Sequence, residues 1–470
     1  MSKTKGQELA EQLLFTQPHI ADEAPDALEK AQEFCEDYKA FLDEAKTERE
    51  AVKAGVKRLE AAGYRPFDRL AAEAYKPGDK VYYNNRGKAL IAATIGTRPV
   101  QDGVSLMIAH IDSPRLDLKP NPLYEDTDLA LFKTHYYGGI RKYQWGVTPL
   151  SPHGVVVKTS GEVVEIHVGE EESDPVFCVT DLLPHLAADQ SKRTLNEGLK
   201  GEELNIIVGS LPFEDKEVKN RVKLRIMQIL NERYGITERD FVRAEIEAVP
   251  AAKARDVGFD RSMVGGYGQD DRVCGYTALR AEIDSETPEY TSVCVLADKE
   301  EVGSDGTAGL SSDFTFHFLR YLADIQGANY TMMLQNSKCL SADVSAAVDP
   351  TFPEVSEKNN ASYLNRGVCV TKYTGARGKG GTNDADAEMV AYVTGILDEA
   401  GVLWQTGELG KVDQGGGGTV AKFVSQREVD TIDIGVPVLS MHSPFELVSK
   451  LDVYMTYRAF AAFKVSKKAR

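Results

Sequence analysis

The sequence predicts an α/β protein interrupted by a β-rich insert. Three observations predict it. Unbroken apolar runs, of which Val293-Cys294-Val295-Leu296 is the clearest, read as strands buried on both faces. Stretches with apolar residues at helical spacing stand between such runs. Between about residues 131 and 245 the chain changes character, toward short strands joined by turn signals. At 470 residues, it is long enough for two or three domains.

Residues 5–62 read as helical. Thr47-x-x-Glu50 is a capping-box pattern, followed by Val52, Val56 and Leu59 at helical spacing. Val81-Tyr82-Tyr83 and Ala89-Leu90-Ile91 flank Asn84-Asn85-Arg86-Gly87, which signals a hairpin. A strand over 104–109 ends at His110-Ile111-Asp112-Ser113-Pro114. His110 and Asp112 are two apart and share a face of an extended segment. A metal-ligating imidazole commonly gives its second nitrogen to a carboxylate, and His-x-Asp at a strand end suits that need. A lone His beside an apolar strand is nevertheless more often simply hydrogen-bonded.

Within the insert, residues 154–157 and 163–166 flank Thr159-Ser160-Gly161 as a second hairpin. A strand is expected over 205–208 and an amphipathic helix over 217–234, with Val218, Val222, Ile226, Ile229 and Leu230 on one stripe. Its acids and hydroxyls form no ligand pattern, so the insert reads as structural or oligomer-forming. His185, in Leu183-Pro184-His185-Leu186, is its one functional candidate.

Beyond the insert, Gly265-Gly266-Tyr267-Gly268 permits a tight loop before Gln269-Asp270-Asp271 and a helix from about Cys274. Asp270 has two oxygens and is placed to bridge two cations; the competing reading makes Asp270 or Asp271 a helix N-cap. The run 293–296 then ends in Ala297-Asp298-Lys299-Glu300-Glu301. Open α/β sheets carry their sites at such carboxyl edges. Here Glu301 would ligate a metal and Glu300 would move a proton, although adjacent glutamates alone usually mark a solvated turn. Ser341-Ala342-Asp343 offers another acid, and the extended run 431–440 leads to His442, with a closing helix expected over 446–463. The glycines of 377–382 and 415–419 fail the phosphate-loop pattern and read as pocket-lining loops.

Composition narrows the function. The chain has 72 acids against 55 bases, a net charge of −17, which argues against nucleic acid as a partner. It has no apolar run of transmembrane length. Its first residues lack the apolar core of a signal peptide. The six cysteines show no CxxC spacing. A cytoplasmic protein is expected.

His110, Asp270, Glu301, Asp343 and His442 together supply two imidazoles and three carboxylates, one of them shared. That is the ligand stoichiometry of a two-metal hydrolase. Imidazole with carboxylate suits zinc, with cobalt or manganese as alternatives.

The stretches Ala109-His110-Ile111-Asp112-Ser113-Pro114, Asp270-Asp271-Arg272, Asp298-Lys299-Glu300-Glu301-Val302-Gly303-Ser304, Ser341-Ala342-Asp343 and Met441-His442-Ser443 resemble, in order, the aspartyl aminopeptidase family of di-zinc exopeptidases. The resemblance implies a mixed-sheet α/β/α catalytic domain, residues 1–130 and 246–470, interrupted by a dimerisation domain at 131–245. It implies one metal on His110 and Asp343, another on Glu301 and His442, and Asp270 between them. Asp112 would orient His110, and Glu300 would be the general base. It further implies dimers assembled into a dodecamer, with His185 reaching a neighbouring subunit's site. Asp271 and Lys299 depart from the family's usual residues, and neither change removes a ligand. Arg377 and Lys379 either pair with a substrate carboxylate or stand as solvated loop charges. The expected reaction is hydrolysis of the first peptide bond of peptides with a free amino terminus, with a preference for acidic first residues. The alternatives are a di-metal carboxypeptidase or deacylase, and a metal-bound scaffold without turnover.

Overall fold

The computed structural model describes residues 3–469. Its backbone is a nine-stranded mixed sheet between two helical layers. In spatial order the strands are Arg65–Pro66, Lys80–Asn85, Ala89–Thr94, Ser292–Ala297, Ser105–His110, Lys338–Ala342, Asp430–Gly435, Val368–Thr371 and Trp404–Thr406. The four strands from Ser292–Ala297 to Asp430–Gly435 are mutually parallel, so their carboxyl ends share one edge. Every residue of Ser105–His110 and Ser292–Ala297 is buried, as their unbroken apolar character requires.

Alternation along each strand divides the core. Leu106 and Ile108 pack with Val293, Val295, Phe318 and Leu322 on one face. Met107 and Ala109 pack with Leu296, Leu279, Phe460 and Phe463 on the other. Burying a side chain such as Phe460, fully enclosed here, contributes about 1.5–3 kcal/mol.

The amino-terminal stretch is helical in pieces, Lys5–Leu13, Ile20–Glu23, Ala27–Glu44 and Glu48–Ala61, with breaks where Pro18 and Pro25 interrupt the pattern. The Thr47 capping box forms: Glu50 N donates to Thr47 Oγ1 at 3.3 Å and Thr47 N to Glu50 Oε2 at 3.1 Å. Both expected hairpins form.

A second, seven-stranded sheet takes its strands from Arg115 to Pro250, a span that contains 131–245. Its own core gathers around Trp145, Leu150, Ile206 and Phe241. The helix expected over 217–234 begins at Arg221, after Asn220 in a left-handed conformation. Only Val222 of the expected stripe is buried; Ile226 and Leu230 pack partly, and Ile229 and Val218 are exposed. The closing element is also corrected. Glu446–Ser449 is a strand of a third, five-stranded sheet, and the helix runs over Lys450–Val465. Ser449 Oγ caps that helix, accepting from Leu451 N at 3.2 Å.

Candidate metal centre

Three adjacent parallel strands end beside one another in the order Ser292–Ala297, Ser105–His110, Lys338–Ala342. His110 closes the middle strand, Glu300 and Glu301 follow the first, and Asp343 follows the third. Asp270 lies just inside Gln269–Asp284, with backbone angles outside the helical range. Its carboxylate makes no N-cap bond, because both of its oxygens face the imidazoles of His110 and His442. His442 follows the short strand Pro437–Leu439.

The Asp270 carboxylate stands between the two imidazoles. Its Oδ1 lies 3.2 Å from His110 Nε2 and its Oδ2 lies 3.1 Å from His442 Nε2. Asp343 Oδ1 lies 4.0 Å from His110 Nε2, and Glu301 Oε1 lies 3.4 Å from His442 Nε2. Three overlapping groups of potential donor atoms result, His110 with Asp270 and Asp343, Asp270 with Glu301 and His442, and His110 with Glu300 and Glu301, each within 4.8 Å. Glu300 Oε2 is 3.9 Å from His110 Nε2. All five expected ligands and Glu300 therefore converge.

Asp112 is buried beneath them. Its Oδ1 accepts Glu300 N at 3.1 Å, and its Oδ2 accepts Glu301 N at 3.2 Å and the Tyr137 hydroxyl at 2.7 Å. His110 Nδ1 lies 3.0 Å from the Asp112 carbonyl oxygen and 3.3 Å from its Oδ1. Asp112 thus holds His110 and, in addition, fixes the turn bearing both glutamates.

Electrostatically the site has too many acids for its bases. Burial raises the carboxyls of Glu301 and Asp343 well above their ordinary range, and brings Glu300 to about 6. Asp270, although buried, is lowered by the imidazoles of His110 and His442 beside it. Burial opposes the charged form of His442, yet Asp270 and Glu301 lift it to about 10. Such uneven titration marks carboxylates competing for scarce positive charge. Asp270 Oδ1 and Glu301 Oε1 are buried without hydrogen-bond partners in the structure. Divalent cations fit this donor set, because they would satisfy both oxygens and offset the surplus charge.

Several supporting residues escaped the sequence. Glu446 accepts His442 N on Oε1 at 2.7 Å and Asp270 N on Oε2 at 3.1 Å. Ser113 Oγ donates to the Asp270 carbonyl at 2.6 Å. Gly139 O lies 2.9 Å from His442 Nδ1. Gly138 has φ of 72°, and an added Cβ would lie 3.1 Å from Glu301 Oε2. Tyr137, Gly138 and Gly139 fall within 131–245, so that segment reaches the site through residues other than His185. The available signal was weak: Gly-Gly after an alternating strand, and Glu four residues beyond His442.

The remaining candidates lie elsewhere in the chain. His185 is exposed on the single turn Pro184–Leu186, and no potential metal group among the described residues includes it. Lys379 pairs with Asp384 at 2.9 Å and sits 3.7 Å from the Tyr373 ring centre. Arg377, exposed with φ of 52°, lines with Lys379, Tyr373 and Glu408 a small cavity of about 110 Å³.

Residues 41–464 match the family described as Aminopeptidase I zinc metalloprotease (M18). A probable M18 family aminopeptidase 1 of Clostridium acetobutylicum is 52% identical over 435 residues, covering 91% of this chain and 93% of its own. The crystal structure of an M18-family aminopeptidase from Thermotoga maritima superposes with a TM-score of 0.91 at 47% identity, covering 96% of this chain and 99% of that one. The S. cerevisiae mApe1 dodecamer shares the fold, with a TM-score of 0.75 at 21% identity over 93% of this chain and 97% of its own.

Proposed function

The chain belongs to the M18 family of zinc metallo-aminopeptidases, and from that premise we propose that it removes the first residue of peptides with a free amino terminus, with Glu300 as general base. One observation carries the proposal: the two oxygens of Asp270 each face a different imidazole, His110 and His442, at 3.2 and 3.1 Å. A carboxylate so shared is the central requirement of a paired-cation site. In this arrangement His110 and Asp343 would hold one ion and Glu301 and His442 the other, with Asp270 available to both. When bound, zinc ions supply Lewis acidity that acidifies water and polarises a carbonyl.

The protein's own groups do the rest. Glu300 takes the proton of the attacking water and returns it to the leaving amine. Asp112 keeps Glu300 and Glu301 in register by accepting both of their backbone N–H groups. Acids of the site meet the substrate's α-ammonium, which restricts cleavage to the amino end. A preference for an acidic first residue is part of the same proposal, with Arg377 as its main cation, since Lys379 is already engaged by Asp384.

The chain is further proposed to self-associate through 131–245 into dimers and then a dodecamer, the state named for the S. cerevisiae relative, with His185 directed to a neighbour. A cytoplasmic setting is included on the ground that all six cysteines stand unpaired. No helix of the described residues is long and apolar enough to cross a membrane.

The test compares peptides with free and blocked amino termini before chelation, after chelation, and after zinc is restored. Cleavage of free-ended peptides alone, abolished by chelator and recovered with zinc, is expected. Preferred cleavage of blocked peptides would favour a carboxypeptidase or deacylase, and zinc binding without turnover would favour a scaffold.

A further inference from the structure

A second histidine-containing cluster lies where helix Glu48–Ala61 meets the hairpin of Leu150–Val157 and Val163–His167. His153 and His167 are direct cross-strand partners in that hairpin, so their side chains share a face. Their ring centres are 4.3 Å apart. Glu50 reaches them from the helix: its Oε1 lies 2.8 Å from His153 Nδ1 and 3.7 Å from His167 Nδ1. Glu170 lies behind both rings, with Oε1 3.3 Å from His153 Nε2 and Oε2 3.4 Å from His167 Nε2.

The hydrogen-bond directions of this cluster are set by Ser151. Its hydroxyl proton goes to the Val168 carbonyl at 2.7 Å, so its oxygen accepts from His153 Nε2, also at 2.7 Å. The ring's Nε2 is thereby committed as the donor, toward Ser151 and Glu170. In the neutral ring, Nδ1 is then a lone pair facing the Glu50 carboxylate at 2.8 Å. Two acceptors at that distance repel unless a positive species lies between them. Either a proton on Nδ1 or a metal ion meets the requirement.

Three features favour the metal. His153 Nδ1, His167 Nδ1 and Glu50 Oε1 belong to one group of donor atoms within 4.8 Å. Glu170 stands within 3.3 and 3.4 Å of the far nitrogens of the two rings, the place carboxylates take behind metal-bound histidines. Its charge is met from the other side by Lys46, whose Nζ lies 2.8 Å from Oε1 and also donates to the Pro250 and Ala252 carbonyls; Glu170 is thus a brace, and Glu50 is left as the ligand. Access exists as well: Glu50 and the half-exposed His167 line a cavity of about 590 Å³ with Arg49, Lys53, Glu165 and Ile166.

We propose that Glu50, His153 and His167 form a divalent-cation site, separate from the Asp270 centre and suited to zinc, that ties helix Glu48–Ala61 to the hairpin. Two imidazoles and one carboxylate match zinc's preferences and would leave a fourth position for water. The site shares no residue with the Asp270 centre, so it stands whether or not that centre holds two ions.

The test is equilibrium dialysis of the chelator-stripped full-length protein against zinc, with metal counted per chain. His167→Ala is the variant of choice because its side chain is half exposed. The variant is expected to bind one zinc fewer per chain than the wild type while cleaving free-ended peptides at the wild-type rate. Zinc-edge anomalous diffraction should place a peak between His153 Nδ1, His167 Nδ1 and Glu50 Oε1. Equal zinc content in the two proteins, or no anomalous peak there, would overturn the proposal and leave His153 as a protonated partner of Glu50.

Discussion

Asp112 Oδ1 accepts the backbone N–H of Glu300 at 3.1 Å. Through this contact a buried carboxylate at the end of one strand controls where the proposed base stands at the end of the next. Asp112→Asn offers an amide where three donors now converge, from Glu300, Glu301 and Tyr137. Its kcat/KM should fall about 10–100-fold with weaker zinc retention, the usual range for groups behind metal ligands. Tyr137→Phe removes one of the three donors and should lower kcat/KM less than Asp112→Asn does. A Tyr137→Phe defect as large as that of Asp112→Asn would mean that the hydroxyl does more than support the carboxylate.

Glu300→Gln keeps size and hydrogen-bonding capacity but cannot take a proton. Its zinc content should match the wild type while kcat drops by about 10²–10⁴. Turnover near the wild-type rate would remove Glu300 from the base role.

The pH dependence follows from the same residue. Burial, opposed by His110 and reinforced by Asp270, raises the Glu300 carboxyl to about 6. A base works only when ionised, so activity falls as pH drops through that value and is retained above it. Bound cations add positive charge and lower the carboxyl further, which places the acid limb of kcat at or below about 6. A pH–rate profile whose acid limb lies above neutrality would assign it to another group.

Glu446 accepts two backbone N–H groups, those of His442 and Asp270. Glu446→Ala leaves both buried donors unpaired, at about 1–3 kcal/mol each. A lower denaturation midpoint and weaker zinc binding are expected together. An unchanged midpoint would show that these loops hold His442 and Asp270 without it.

Substrate preference separates the two loop cations. Arg377→Ala should reduce kcat/KM for peptides beginning with Asp or Glu, by about tenfold for one lost charge-assisted contact, and leave those beginning with Leu unaffected. Lys379→Ala should do less, because Lys379 already pairs with Asp384. Parallel losses on acidic and apolar substrates would point to a general loop defect.

What could be read from the sequence follows from how the fold is built. His110 and Glu301 end or follow strands whose apolar runs are continuous, and His442 follows the extended run 431–440, so these three are legible as polar groups at buried edges. Asp270 and Asp343 are legible only as acids at loops, since Lys338 and Ser341 interrupt the strand before Asp343, and their convergence with the histidines requires tertiary structure. Tyr137 and Gly138 come from a different sheet and reach the centre only after the two sheets pack; no local pattern encodes that meeting. Glu446 was assigned to a helix because its following residues have helical spacing, whereas pairing of Glu446–Ser449 with Met263–Gly266 draws it into a strand. The Lys379–Asp384 pair spans a loop, where spacing carries no directional information.

The most direct test of the paired-cation centre is anomalous diffraction at the zinc edge from crystals of the zinc-loaded protein. Two peaks are predicted flanking Asp270, one beside His110 and Asp343 and one beside Glu301 and His442. A single peak, or none within reach of Asp270, would contradict the account.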